Sequence, residues 1–290
     1  EDGSFSFENI PYGTWYVREI EQPAGFVLDD TIYPVTIGAD GQVVEIKIVN
    51  KYVRGNIHLT KVDSEYPDNK LTGATFEVYK DSNANGRLDN GDELLGTLTE
   101  KEKGEYSMND LFYGRYFVKE TKAPEGFVLD TGVYEVMIDT NGKTYEVENK
   151  AGVGFVNDAM RGNLKIVKTS SDGKVKGFAF RITGANGYDI ILETNDKGEI
   201  FIDELRIGDY TISEVSNSAS SMYVLPADKK ATVKLGSTTI VEMHNVLRDT
   251  PKTGDTTNLP LLYVLAGLSA VGIAVCGVIG FKKKKKEDRN

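Results

Sequence analysis

The sequence predicts an all-β chain: a tandem series of antiparallel β-sandwich domains followed by one C-terminal transmembrane helix. Three observations carry this. Short runs of alternating Val, Ile, Tyr, Phe and Thr, bounded by Asn-Gly and Asp-Gly turns, recur along residues 1–248, and that period belongs to half-buried strands. One strand pattern occurs three times and a junction pattern twice. Residues Leu259 to Phe281 carry no charged side chain.

The first pattern is Gly13-Thr-Trp-Tyr-Val-Arg-Glu19, followed by Gln22-Pro-Ala-Gly-Phe26. It returns as Gly114-Arg-Tyr-Phe-Val-Lys-Glu120 with Lys122-Ala-Pro-Glu-Gly-Phe127, and again as Gly208-Asp-Tyr-Thr-Ile-Ser-Glu214 without the Pro-Gly-Phe tail. At the junctions, Asn50 precedes Arg54-Gly-Asn-Ile-His-Leu-Thr-Lys61, and Asn157 precedes Arg161-Gly-Asn-Leu-Lys-Ile-Val-Lys168, with 11 residues from Asn to Lys in both. A fixed period implies a domain array. Residues 1–53 are expected to be the C-terminal part of one domain, 54–160 a complete second and 161–248 a complete third. Residues 249–258 form a linker, 259–281 the membrane helix and 282–290 a basic tail. At about 1.5 Å per residue the uncharged stretch is long enough to cross a bilayer, and the flanking Lys282–Lys286 run puts the tail on the cytoplasmic side.

Composition narrows the function. Of 290 residues, 27% are charged and 40% hydrophobic, a globular balance. The net charge of −10 includes the lysine run, so the remainder is more acidic still, which argues against a nucleic-acid partner. The single cysteine, Cys276, rules out an intramolecular disulfide, and two histidines, His58 and His244, argue against a His-based metal or catalytic cluster. The sequence opens at Glu1 without an initiator Met or signal peptide, and a fragment or processed form is expected.

Side chains two apart share a strand face. On that basis Ile57, Leu59 and Lys61 share a face, as do Leu164, Ile166 and Lys168. The glutamate strands give Trp15, Val17, Glu19; Tyr116, Val118, Glu120; and Tyr210, Ile212, Glu214. The asparagine strands give Ile46, Ile48, Asn50; Val153, Phe155, Asn157; and Val241, Met243, Asn245. A single such residue is explained by a strand end reaching water. Its recurrence at equivalent points argues for buried Lys, Glu and Asn together. Desolvation makes a buried lysine a neutral amine and a buried glutamate a neutral acid. Such an amine is a nucleophile, and such an acid can polarise an amide carbonyl and shuttle protons. The expected chemistry is one self-directed Lys–Asn isopeptide bond per domain, with proximity supplying much of the acceleration. No Ser/His/Asp set, nucleotide loop or zinc spacing points to a turnover enzyme.

The stretch Tyr116-Phe-Val-Lys-Glu120-Thr-Lys-Ala-Pro-Glu-Gly-Phe127 resembles the E-box of the collagen-adhesin B-type (CnaB, prealbumin-like, SpaA-type) domains of Gram-positive pilins and adhesins. The resemblance covers nearly all of residues 1–248 and implies an Ig-like sandwich cross-linked between an early lysine and an asparagine in the last strand, with the E-box glutamate promoting the bond. Lys61, Glu120 and Asn157 match in the second domain, and Lys168, Glu214 and Asn245 in the third, which lacks the Ala-Pro-x-Gly tail. Glu19 and Asn50 match in the first segment, where the lysine would precede residue 1. Asn149 competes with Asn157. Glu-to-Asn spacing is 31 in the first and third units, against 29 to Asn149 and 37 to Asn157, whereas the 11-residue junction favours Asn157. Such a link would join first and last strands and route pulling force through a covalent bond.

Asp81-Ser-Asn83-Ala-Asn85-Gly86-Arg87-Leu88-Asp89-Asn-Gly-Asp92-Glu93 has the spacing of an EF-hand- or dockerin-like calcium loop, or of an Asn/Asp/Gly-rich hairpin turn. The Lys-to-Glu separation is 59 in the second domain and 46 in the third, so this 13-residue segment reads as an insertion. No cofactor is required beyond this candidate calcium.

Upstream of the apolar stretch stands Thr250-Pro251-Lys252-Thr253-Gly254-Asp255. Pentapeptide, apolar helix and basic tail in that order resemble the sorting signals of Gram-positive surface proteins, with Thr250 where an LPXTG-type motif has leucine. The resemblance implies cleavage by sortase between Thr253 and Gly254 and joining of Thr253 to peptidoglycan or another pilin subunit, with the membrane a partner only before sorting. The expected protein is extracellular and wall-anchored: a structural stalk or pilin-like subunit, or an adhesin stalk whose head for a host matrix or cell-surface ligand lies upstream, or an anchored piece of a surface enzyme. Tyr33-Pro34-Val35 and Tyr66-Pro67-Asp68 do not match a lysine-bearing pilin motif.

Overall fold

A computed structural model describes residues 3–248; the sorting-type motif and the apolar stretch lie outside them. The chain divides into two compact units, residues 1–160 and a second beginning at Arg161. No helix among the described residues is long and apolar enough to cross a membrane.

In the first segment, β1 (Gly13–Val17) pairs with β3 (Tyr33–Ile37), and β2 (Phe26–Val27) with β4 (Lys51–Tyr52), both antiparallel. The expected strand through Ile46, Ile48 and Asn50 does not form. Extended backbone becomes a strand when a neighbour satisfies its N–H and C=O groups, and among the described residues no strand pairs with it. Trp15 and Ile46, placed on a core face by alternation, are correspondingly exposed.

The same unit continues with β5 (Arg54–Asp63), β6 (Thr75–Lys80), β7 (Glu93–Thr97), β8 (Thr99–Glu102), β9 (Glu105–Phe112), β10 (Gly114–Lys122), β11 (Val133–Ile138), β12 (Thr144–Glu146) and β13 (Phe155–Asn157). One sheet runs β11-β10-β6-β7. The other runs β12-β5-β9-β8, with β13 also on β5. Ile57 and Leu59 from one sheet meet Phe76, Val78, Tyr116 and Val118 from the other in a shared core, the two-layer packing of a sandwich. Burial alternates along β5 and carries on through Lys61, which therefore occupies a core position.

β12 and β13 are two parts of one last strand. Both run parallel to β5, the first against Asn56–His58 and the second against Lys61–Asp63. Between them residues Asn149–Gly154 loop out, closed by a Lys150–Gly154 bridge. Gly154 has φ +122°, and a Cβ there would stand 2.7 Å from the Thr60 carbonyl oxygen, so the re-entry point accepts only glycine.

The second unit comprises β14 (Arg161–Ser170), β15 (Ala179–Thr183), a 3₁₀ turn at Ala185–Gly187, β16 (Asp189–Glu193), β17 (Glu199–Arg206), β18 (Gly208–Val215), β19 (Tyr223–Val224), β20 (Lys229–Val233) and β21 (Thr238–Leu247). Its sheets are β17-β14-β21-β19 and β16-β15-β18-β20. Here the last strand, β21, is continuous and pairs in parallel with β14 from Asn163↔Thr238 to Ser170↔Asn245.

The three glutamate strands begin alike. Gly13, Gly114 and Gly208 have φ of +141°, +145° and +136°, values open to glycine. Four residues before each glutamate an aromatic side chain donates back to a carbonyl four residues upstream: Trp15 Nε1 to Pro11 at 3.0 Å, Tyr116 OH to Phe112 at 2.7 Å and Tyr210 OH to Arg206 at 2.9 Å. This brace fixes the strand from which the glutamate projects.

Candidate functional site

Lys61, Glu120 and Asn157 come from β5, β10 and β13, and all three are buried, Lys61 and Glu120 with no exposure at all. In the parallel ladder Lys61 faces Phe155, and Asn157 faces Asp63. Residues two apart share a face, so lysine and asparagine lie on one face of neighbouring strands. Glu120 reaches them from the opposite sheet. Asn157 Nδ2 donates to Glu120 Oε2 at 2.8 Å and to the Val128 carbonyl at 2.6 Å. Lys61 Nζ donates to the carbonyls of Phe155 at 3.0 Å and Val62 at 3.2 Å. A neutral amine has two protons to give, so these bonds use both and leave its lone pair free.

Burial dominates the electrostatics. It pushes the Lys61 ammonium down from 10.5 to about 8, against the opposing charges of Glu120, Asp130 and Asp63. It raises the Glu120 carboxyl despite hydrogen bonds from Asn157 and the Asp130 N–H and the nearby Lys61. Glu120 Oε1 and Asn157 Oδ1 remain buried without a hydrogen-bond partner. Two unpaired buried acceptors are costly, and protonating Glu120 turns one of them into a donor.

The second unit repeats the arrangement with Lys168, Glu214 and Asn245, all buried. Lys168 faces Met243 and Asn245 faces Ser170, the register of Lys61 and Asn157. Asn245 Nδ2 donates to Glu214 Oε1 at 2.6 Å, while Glu214 Oε2 and Asn245 Oδ1 are unpaired. Lys168 Nζ donates to the Thr169 carbonyl and lies 4.2 Å from the Phe178 ring centroid. Desolvation lowers the Lys168 pKa and raises that of Glu214. In the first segment Asn50 Nδ2 donates to Glu19 Oε1 at 2.6 Å; both residues are half-buried.

Asn149 is directed elsewhere. Its Nδ2 donates to Asp130 Oδ2 at 2.7 Å and to the Val156 carbonyl at 2.8 Å, and its Oδ1 accepts the Val156 N–H at 2.6 Å. The spacing puzzle has a structural origin. The Glu-to-Asn separation is 37 for Asn157 and 31 in the other two units, and the excess of six is the Asn149–Gly154 excursion.

Alternation does not find Asp130, which lies in the loop after β10. Its N–H donates to Glu120 Oε2 at 2.8 Å, and its Oδ2 accepts the Tyr134 hydroxyl at 2.9 Å. The first segment has the same pair: the Asp29 N–H meets Glu19 Oε2 at 2.9 Å and Asp29 Oδ2 accepts the Tyr33 hydroxyl at 2.5 Å. The sequence signal was an Asp ten residues and a Tyr fourteen residues after the glutamate, present twice and missing after Glu214.

In the loop joining β6 and β7, the side chains serve the loop's own backbone. Asp81 accepts the N–H groups of Asn85 at 3.1 Å and Gly86 at 3.0 Å, and Asp92 accepts those of Ser82 and Asp89. Asn83 and Asn85 direct their amide nitrogens at Asp89, 3.0 and 2.6 Å away, and Asn85 Oδ1 accepts the Arg87 N–H. Glu93 opens β7. Among the described residues no group of three or more His, Cys, Asp or Glu side chains is arranged to hold a metal.

A family model described as SpaA, prealbumin-like fold domain, matches residues 1–52, 55–151 and 162–246. The second match ends inside the Asn149–Gly154 excursion, before Asn157. The chain is 29% identical over 194 residues to the trypsin-resistant surface T6 protein of Streptococcus pyogenes serotype M6, taking in 66% of this chain and 32% of that protein. It is also similar to the structure of the Bacillus anthracis TIE protein, with a TM-score of 0.63, 26% identity, and coverage of 82% of this chain and 43% of the other. The chain therefore spans less than half the length of either relative.

Proposed function

We propose a mechanical function for this chain, which belongs to the family of SpaA prealbumin-like fold domains: a wall-attached stalk or pilin-like surface protein whose domains lock themselves with Lys–Asn isopeptide bonds. The observation that supports this best is the buried Lys, Glu and Asn found in the same register in both units. Neutral Lys61 attacks Asn157 Cγ with its free lone pair. The Glu120 proton, held toward Asn157 Oδ1, stabilises the charge developing on that oxygen. The Nζ–Cγ bond forms, the Cγ–Nδ2 bond breaks, and Nδ2 leaves as ammonia. One proton passes from Nζ to the departing nitrogen through Glu120, which ends protonated as it began. Lys168, Glu214 and Asn245 take the same roles in the second unit.

An amide is a poor electrophile, and the rigid, dry core supplies the proximity that replaces a better leaving group. Each bond forms once, so this is self-modification and not turnover. Attachment is proposed to follow from sortase acting at Thr253-Gly254, with peptidoglycan or another pilin subunit as the acceptor amine.

Intact-mass measurement of the full chain tests the cross-links. Two ammonia molecules are expected to be missing, with digestion yielding Lys61–Asn157 and Lys168–Asn245 branched peptides. The unshifted mass would refute the proposal, and a branched peptide at Asn149 would move the bond there.

A further inference from the structure

We propose that Asp130 is a positioning residue for the Lys61–Asn157 cross-link, its carboxylate anchoring the loop whose backbone holds both Glu120 and the departing amide in place. This rests on the cross-linking reading above and adds to it a residue that touches none of the reacting atoms with its side chain.

The carboxylate collects donors from three places. Asp130 Oδ1 accepts the Gly132 N–H at 2.6 Å, and Oδ2 accepts the Tyr134 hydroxyl at 2.9 Å and Asn149 Nδ2 at 2.7 Å. Tyr134 belongs to β11 and Asn149 clamps Val156 in both directions. One side chain thus ties the loop to β11 of its own sheet and, through Asn149, to the strand of the facing sheet that carries Asn157.

The anchored loop does two things at the site. Its Asp130 N–H and Asn157 Nδ2, each at 2.8 Å, fill both lone pairs of Glu120 Oε2, so the carboxyl proton must sit on Oε1, the oxygen left unpaired. Its Val128 carbonyl takes the remaining proton of Asn157 Nδ2 at 2.6 Å, so both protons of the leaving nitrogen are held and the amide plane is fixed. Charge acts in the same place. Asp130 is itself held as a carboxylate: burial alone would raise its pKa, but the hydrogen bonds from Asn149, Gly132 and Tyr134 and the charge of Lys61 lower it. Its negative charge raises the pKa of both Lys61 and Glu120, with Asp63 the further acid acting on Lys61.

The second unit supplies the contrast. Ten and fourteen residues after Glu214 stand Val224 and Asp228, and Glu214 Oε2 has no hydrogen-bond partner. The Lys168–Asn245 bond forms without this device, and so serves as an internal control.

The test is cell-free synthesis of the full chain, quenched at intervals over a range of pH, with the two branched peptides quantified separately. In Asp130→Asn the Lys61–Asn157 peptide is expected to accumulate at least about tenfold more slowly, a smaller loss than removing the acid itself. The pH profile of its formation shifts to lower pH, because losing the negative charge lowers both pKa values, and the Lys168–Asn245 peptide is unaffected. Merely loosened packing would slow the reaction without moving the profile, and that result overturns the inference. Tyr134→Phe decides the matter if Asp130→Asn does not fold: slower formation is expected, and an unchanged rate overturns the inference. Absence of the bond in the unsubstituted chain, or its full-rate formation in Glu120→Ala, brings down the underlying reading and this inference with it. If those controls behave and Asp130→Asn matches the unsubstituted chain, the inference alone falls.

Discussion

Three buried polar side chains in an apolar core are costly as charges and tolerable as neutral groups. Lys61 carries that tension most plainly. In Asn157→Ala, which cannot form the bond, the lysine stays free, with a folded pKa of about 8 against 10.5. Between those values the unfolded chain binds more protons than the folded one, so stability is expected to rise with pH across that window by on the order of 2 kcal/mol. Chemical denaturation at pH 7.5 and 10.5 measures it, and Lys61→Met in the same background removes the rise. Glu120→Ala is expected to show one ammonia lost from its own calculated mass where two would be lost if both bonds formed, with only the Lys168–Asn245 peptide present. Alternation placed Lys61, Glu120 and Asn157 in the core from sequence because a strand offers two faces and the neighbours on one face were apolar. It could not place Asp130, whose contribution at Glu120 is a backbone N–H in a loop, where no periodicity applies.

At the scale of elements, the last strand of the second domain is the informative one. A run of six residues, Asn149–Gly154, interrupts it, and β13 resumes the ladder where β12 left off. Gly154→Ala is expected to destabilise this domain by about 1–3 kcal/mol through backbone strain and the Thr60 contact, as a lower denaturation midpoint in a Lys61→Ala background would show. The same interruption explains why spacing favoured Asn149: residue counts measure contour, whereas register counts ladder pairs. The 81–92 loop was legible as a turn or a calcium site. Its side chains satisfy its own N–H groups, so the hairpin predicts a melting temperature equal in calcium and in chelator; a calcium-dependent rise would give the loop to the metal. In the first segment, alternation named a core face that is half-buried at best, with Trp15 and Ile46 exposed, because burial needs a second sheet as well as a pattern.

Across the whole molecule, the proposed link between first and last strands would change what an applied force meets. Closing loops of this length would stabilise a domain by up to about 5 kcal/mol in the chain-entropy treatment. In single-molecule pulling, the linked chain is expected to extend without releasing the length enclosed between Lys61 and Asn157 or between Lys168 and Asn245. Lys61→Ala is expected to add one extension step of the first length only. The all-β class, the tandem repeat and the burial of Lys, Glu and Asn side chains in the second and third domains were legible in the sequence, because strand alternation and repetition are local properties of the chain. Only the tertiary structure joins Asn157 to Glu120 and Asn149 to Asp130 and Val156, and brings Asp130 to Glu120. Both depend on register and on the loop after β10 folding back onto Glu120 and the segment after β13, which residue spacing along the chain does not encode.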